Sequence, residues 1–291
     1  MIELTYQKNI ESYIQENSNL DALGDCLDKT ANEYLELKKR KASLDFGTTL
    51  DSPGLQDLFE EVKTRTEQFL CVKDIPETAC FKGCVPTPTK IWLAASSCVV
   101  ASGFLFSNSL VTGGIIIAGG FSFGLSLIFA GEYLSSYYDN EKKRIGIRNK
   151  EKANAAGVIA HEYTHHIQET KTIMEKKEDF FNPICEGHAR GVQIAVSRMY
   201  AQEHDNPAYI YRALKKSAIE LKSAYMFACR KSNRKPSKAL KKLAVPEKRF
   251  GYWSEGHHYR IGVAAMQIAE LKHGSEVYSR VAHNDFSFLA V

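Results

Sequence analysis

Two short stretches of the chain hold residue types that could do chemistry together. The first reads Gly157-Val158-Ile159-Ala160-His161-Glu162-Tyr163-Thr164-His165-His166-Ile167-Gln168. Histidines at i and i+4 of a helix lie one above the other on one face. His161 and His165 can therefore each offer a ring nitrogen to a single tetrahedral zinc ion. Glu162 is turned about 100° from His161 by the helical repeat, which sets it beside such an ion rather than on it. There it can take a proton from a water whose pKa the metal has lowered toward neutrality, the logic of a His-Glu-x-x-His helix. His166, another step round, reads as a residue behind the ligands or on the surface. The plainer alternative is a pair of surface histidines on an amphipathic helix.

The second stretch is Asn182-Pro183-Ile184-Cys185-Glu186-Gly187-His188-Ala189-Arg190-Gly191. Asn182 suits a helix cap and Pro183 the first turn that follows it. Glu186 then stands near the start of a second helix, a short reversal away from the first, where its carboxylate can swing toward the metal. A catalytic zinc takes three protein ligands and leaves one position open. Glu186 is the candidate for the third, and His188 is the alternative.

Together, H-E-Y-x-H-H at 161–166 and E-G-x-A at 186–189 resemble the gluzincin metallopeptidases, the thermolysin-like group in which a downstream Glu is the third zinc ligand. The resemblance covers roughly Glu132 to Gly274. It implies an α+β, zincin-like domain, mostly helical with a small antiparallel sheet. It also implies zinc on His161, His165 and Glu186, with Glu162 as general base in peptide-bond hydrolysis. The partner implied is a peptide or protein substrate, laid along a sheet edge within 133–148. Farther on, Trp253 to Gly262 opens a helix running to about Lys272, and its Tyr-x-x-Gly is similar to a helix of simpler gluzincins. That similarity makes Tyr259, and after it His258, the implied donor to a developing oxyanion; a helix start that merely packs is the competing account. One position departs from the pattern. Arg190 stands where thermolysin-like enzymes often carry an acidic residue that orients a ligating histidine, so the shell behind these ligands must be built differently.

The rest of the chain has to position those residues. Residues 1–70 read as an N-terminal helical region, with Ile2, Tyr6, Ile10 and Tyr13, then Leu20, Leu23, Leu27, Ala31 and Tyr34, at three- and four-residue steps. Asp51-Ser52-Pro53-Gly54 breaks the chain before a third amphipathic stretch, Leu55–Phe69. Nothing in these helices carries chemistry; they read as a packing layer or lid over the catalytic part, 71–291. Tyr133–Tyr138 and Arg144–Arg148 read as short strands about a polar turn at Asp139-Asn140-Glu141. The motif itself lies on a helix from Lys150 to about Lys171.

Two regions stand apart in composition. No charged residue occurs from Ile91 to Gly131, a run broken at Ser107-Asn108-Ser109. Its second part, Leu110–Ala130, is long enough to cross a hydrocarbon core as a helix. Lys82 and Lys90 precede the run, and Lys142, Lys143, Arg144 and Arg148 follow it. A hydrophobic hairpin at 91–131 with both ends on the cytoplasmic face fits that flanking charge; buried strands punctuated by glycine are the alternative, with a soluble cytoplasmic protein as the consequence. The second region, Arg212–Arg249, carries thirteen Lys or Arg against Glu220 and Glu247, in a chain of net charge +4. It reads as a solvated helix pair or as a surface attracted to anionic lipid headgroups. No recognition motif supports nucleic acid as a partner. The seven cysteines are scattered and read as reduced thiols, the spacing of Cys71, Cys80 and Cys84 being unlike a zinc pair. Met1–Asn17 mixes acidic and basic residues with apolar ones, unlike a secretory signal. A rival to catalysis is a membrane-associated interaction protein with a structural or vestigial zinc site.

Overall fold

Hydrophobic spacing of three and four residues dominates the chain, and the computed structural model is accordingly mostly helical. It describes residues 10–82, 136–139, 141–148, 151–171, 183–245 and 256–289. Helix α1, Asn17–Lys39, buries Leu20, Leu23, Leu27, Ala31 and Tyr34, the stripe legible in the sequence. Helix α2, Ser52–Leu70, starts where the breaker stands: the Asp51 carboxylate accepts a hydrogen bond from the Gly54 amide at 2.9 Å, and Pro53 occupies the first turn. Helices α3 (Lys152–Thr170), α4 (Pro183–Glu203), α5 (Ala208–Lys231), α6 (Lys238–Lys241), α7 (Gly256–His273) and α8 (Glu276–Ala282) follow.

A small sheet makes the architecture α+β. Strands β2 (Tyr137–Asp139) and β3 (Arg144–Ile147) pair antiparallel about the expected turn, with Tyr138 opposite Ile145. The expectation of a small antiparallel sheet holds for that pair and is corrected by β1, Ala79–Lys82, which pairs parallel with β3 in the order β1-β3-β2. A parallel partner leaves no local turn signal, and four residues carry too little alternation to be read as a strand. Among the described residues, strand β2 lies at an edge of this sheet.

Helix α4 is the hub. It packs against α3, α5, α7, α8 and α2, while α1 lies on α5 and α7, and α2 covers α3 and β1. The apolar residues of α1 and α2 join the same continuous core as those of α3, α4, α5 and α7, so the N-terminal helices are a packing layer. Glycines let the hub's neighbours come close. A Cβ at Gly157 of α3 would lie 2.4 Å from Ser197 Oγ of α4, and one at Gly187 would lie 2.1 Å from the Gly262 carbonyl oxygen of α7. The Gly262 of the Tyr-x-x-Gly pattern thus marks the crossing of α7 over the start of α4.

The basic tract divides by burial. The exposed face of α5 carries Arg212, Lys215 and Arg230, but Lys222 is buried and its ammonium donates to the carbonyls of Leu243 at 2.6 Å and Val245 at 2.7 Å, tying the chain after α6 back to α5. The cysteines of the described residues, Cys26, Cys71, Cys80, Cys185 and Cys229, are free thiols. The hydrophobic hairpin expected at 91–131 lies outside the described residues. Among the described residues no helix is long and apolar enough to cross a membrane.

Gly262→Ala tests the α4–α7 crossing. Its Cβ would fall 1.5 Å from the Pro183 carbonyl oxygen, a backbone atom that cannot rotate away. Overpacking costs typically about 1–3 kcal/mol, and this one involves main chain on both sides. The variant should unfold several degrees below wild type in differential scanning calorimetry; an unchanged midpoint would show that the two helices do not depend on this contact.

Candidate metal centre

Helices α3 and α4 form an antiparallel pair in which each turn of one meets a turn of the other. Gly157 faces Ser197 and Gln193, His161 and His165 face Glu186, and Gln168 reaches Cys185 and His188. The close approach at Gly157 sets the helix separation, and the histidines four residues apart then point at the first turn of α4. His161, Glu162, His165 and Glu186 are each less than a tenth exposed.

One ligand atom from each of His161, His165 and Glu186 lies within 4.8 Å of the others, the one such group among the described residues. Glu186 Oε1 is 3.3 Å from His165 Nε2, and Glu186 Oε2 is 3.6 Å from His161 Nε2. Donors about 2.0–2.2 Å from one tetrahedral ion stand roughly 3.3–3.5 Å apart, close to these two spacings, and the three residues could hold a metal ion. The two imidazole rings are perpendicular, at 89° with centroids 4.9 Å apart, so both Nε2 atoms converge without the rings stacking.

The electrostatics ask for a cation. Burial works against charge on His165, but the adjacent Glu186 carboxylate overrides it and pushes the imidazole up to about 9. Burial costs Glu186 its solvation too, yet His165 holds its carboxyl below the usual range. His161 is driven well down by burial, with the Arg190 charge adding to the effect. A proton shared between Glu186 and His165 is the simplest cation the cluster can take; a metal ion serves all three donors at once. Glu162, beside the cluster, is raised to about 7 by burial, and the Glu186 charge contributes in the same direction.

Behind the ligands the wiring is specific. His165 Nδ1 lies 2.9 Å from Gln168 Oε1; Gln168 Nε2 lies 2.9 Å from the Cys185 carbonyl and 2.8 Å from His188 Nδ1; His188 Nε2 lies 2.9 Å from the Tyr278 carbonyl. His161 Nδ1 is buried with no hydrogen-bond partner of normal geometry among the described residues; the Ala189 carbonyl is its electrostatic neighbour and favours its protonation. Arg190 is buried and points the other way, donating to Glu220 at 3.1 and 3.4 Å and to Gln193. Its charge and that of Lys216, whose own pKa Arg190 lowers, both favour the negative forms of Glu162 and Glu186.

The expected ligands His161, His165 and Glu186 are therefore brought together, with Glu162 next to them. His188 as an alternative ligand is corrected: both its nitrogens are committed to Gln168 and Tyr278, and burial lowers it to about 3, keeping it neutral. His166 is no surface residue. It is 1% exposed and ties α3 to β2 through the Tyr138 hydroxyl at 2.9 Å and to the Pro76 carbonyl at 2.9 Å. Tyr259 stands half-buried in the first turn of α7, one turn before the Gly262 that touches Pro183 and Gly187. The side chain of His258 lies outside the described residues. Gln168 is the residue that sequence reasoning passed over, because an amide on a helix reads as a solvent-facing residue until its partners are known. Comparison with protein-family models, with curated proteins and with solved structures returned no match.

The donor set predicts one divalent transition-metal ion per chain by elemental analysis. His161→Ala, His165→Ala and Glu186→Ala should each abolish stoichiometric binding. Full metal content in any of the three would remove that residue from the site.

Proposed function

We propose that the protein is a zinc metallopeptidase of gluzincin type. The observation that carries the reading is the buried His161–His165–Glu186 cluster with Glu162 one helical step away. Two imidazoles and one glutamate from two helices are a donor set of catalytic zinc. When bound, zinc supplies Lewis acidity toward a carbonyl and lowers the pKa of a water.

The remaining work belongs to the protein. Glu162 does not chelate, so its carboxylate is available to accept a proton from the attacking water and to return it to the leaving amine. Its burial favours this, because a base near neutrality can both take and give a proton at physiological pH. Tyr259, by the resemblance of its Tyr-x-x-Gly helix, is the candidate donor to the developing oxyanion. The edge position of β2 supports an extended peptide as substrate, added alongside the sheet by main-chain hydrogen bonds.

Glu162→Gln separates this reading from an interaction protein with a structural or vestigial zinc site. The substitution spares every ligand, so zinc should remain at one per chain while cleavage of a peptide library falls by about 100-fold or more, the range for losing a general base. Wild-type turnover in this variant, or no hydrolysis by the wild type with zinc bound, would reject the peptidase.

The uncharged run Ile91–Gly131 and the basic residues at both its ends support association with a membrane from the cytoplasmic side. The expressed chain should sediment with membranes, resist high-salt extraction and come free only in detergent. A full-length protein monodisperse in plain buffer would assign the run to a buried core.

A further inference from the structure

The hydrogen bonds behind His165 can be oriented without ambiguity, because the chain they form ends on main-chain carbonyls, which only accept. The Cys185 carbonyl accepts from Gln168, so the end of the amide that faces it at 2.9 Å is the nitrogen. The same nitrogen has a second hydrogen and meets His188 Nδ1 at 2.8 Å. The far nitrogen of His188 meets the Tyr278 carbonyl at 2.9 Å, so Nε2 carries the His188 proton and Nδ1 is the acceptor Gln168 needs. With its nitrogen placed, Gln168 turns its oxygen to His165 Nδ1 at 2.9 Å, and that nitrogen must donate. One assignment satisfies every member, and it makes Nε2, the atom 3.3 Å from Glu186, the nitrogen that releases its proton when a metal takes its place.

The far end of the chain is rigidly held. Tyr278 is fully buried in α8, and its hydroxyl donates to Glu270 at 2.6 Å and accepts from Gln267 Nε2 at 3.0 Å, both on α7. Its ring lies against Gly191, where a Cβ on α4 would fall 2.0 Å from the ring edge. The carbonyl that orients His188 is thus fixed by α4 and α7 together.

We propose that Gln168 and His188 are positioning residues of the metal site: a relay from the Tyr278 carbonyl through His188 and Gln168 holds the proton of His165 on Nδ1 and presents Nε2 to the metal. The relay rests on the metal reading of His161, His165 and Glu186. Arg190, at the fourth position after Glu186, takes no part in it and is turned to Glu220. A neutral amide behind His165 fixes the tautomer without adding a second buried anion beside Glu186.

Nitrogen-15 histidine spectra of the full chain test the relay. In the metal-free wild type, His188 should be the Nε2–H tautomer; in the zinc-loaded protein, His165 should keep a slowly exchanging Nδ1 proton with Nε2 as the coordinating atom. Gln168→Leu should lose that protected His165 proton, and its zinc affinity, measured by chelator competition, should fall about 10–100-fold, as for other partners of metal-ligating histidines. A residue that served packing alone would not set the tautomer. Coordination of wild-type His165 through Nδ1, a His188 protonated on Nδ1, or unchanged zinc affinity in Gln168→Leu would each overturn the proposal. Should Gln168→Leu not fold, the two wild-type spectra still decide it. Absence of zinc from the wild type would reject the metal reading by itself, and the His188 tautomer would then show whether the relay exists as a packing device without a metal role.

Discussion

Two imidazoles and a carboxylate share a space of 4.8 Å, all nearly cut off from water. Such a group keeps its members close only if a positive charge sits among them, because burying an unpaired carboxylate costs several kcal/mol and two imidazole lone pairs facing it would repel it. The need for that cation governs the surrounding structure. It explains why Glu186 sits in the first turn of α4, where the unpaired amides at the positive end of the helix also favour its anion. It explains equally why the second residue of the motif, Glu162, is kept off the cluster.

Holding three donors within tenths of an ångström requires rigid helices and tight crossings rather than a flexible loop. Helix α4 meets these demands by presenting glycine wherever a partner must approach: Gly187 beneath Gly262 of α7, and Gly191 beneath Tyr278 of α8. Gly157 does the same for α3. The outer helices contribute by confinement. Phe59 of α2 packs edge-on against Tyr163, whose hydroxyl bonds Glu67, so α3 is clamped from the α2 side as well.

Charge is managed in two layers. Close to the cluster, Arg190 is paired with Glu220 and turned away from Glu186, while its charge still favours the Glu186 anion. Farther out, Arg212, Lys215 and Arg230 of α5 stay in solvent, while Lys216 acts on Glu162 and Glu186 and the Lys222 ammonium secures a chain crossing through two carbonyls. The basic tract is therefore not one feature. Part of it is architecture, and only its exposed part is available to a partner.

Much of this protein is written locally. The helical stripes of α1 and α2, the break before α2, the opening of α4 at Pro183 and the His161–His165 pair follow from spacing alone, because helix periodicity and capping involve residues a few positions apart. The β2–β3 hairpin follows for the same reason. What the sequence could not decide are matters of partners far apart in the chain. The parallel pairing of β1 with β3, the enclosure of His188 between Gln168 and Tyr278, the burial of His166 against Tyr138 and the contact of Gln168 with His165 all depend on which elements meet. That meeting is set by close crossings at Gly157, Gly187 and Gly262. A glycine in a sequence shows only a missing side chain; the neighbour that needs the space exists only once the helices have packed.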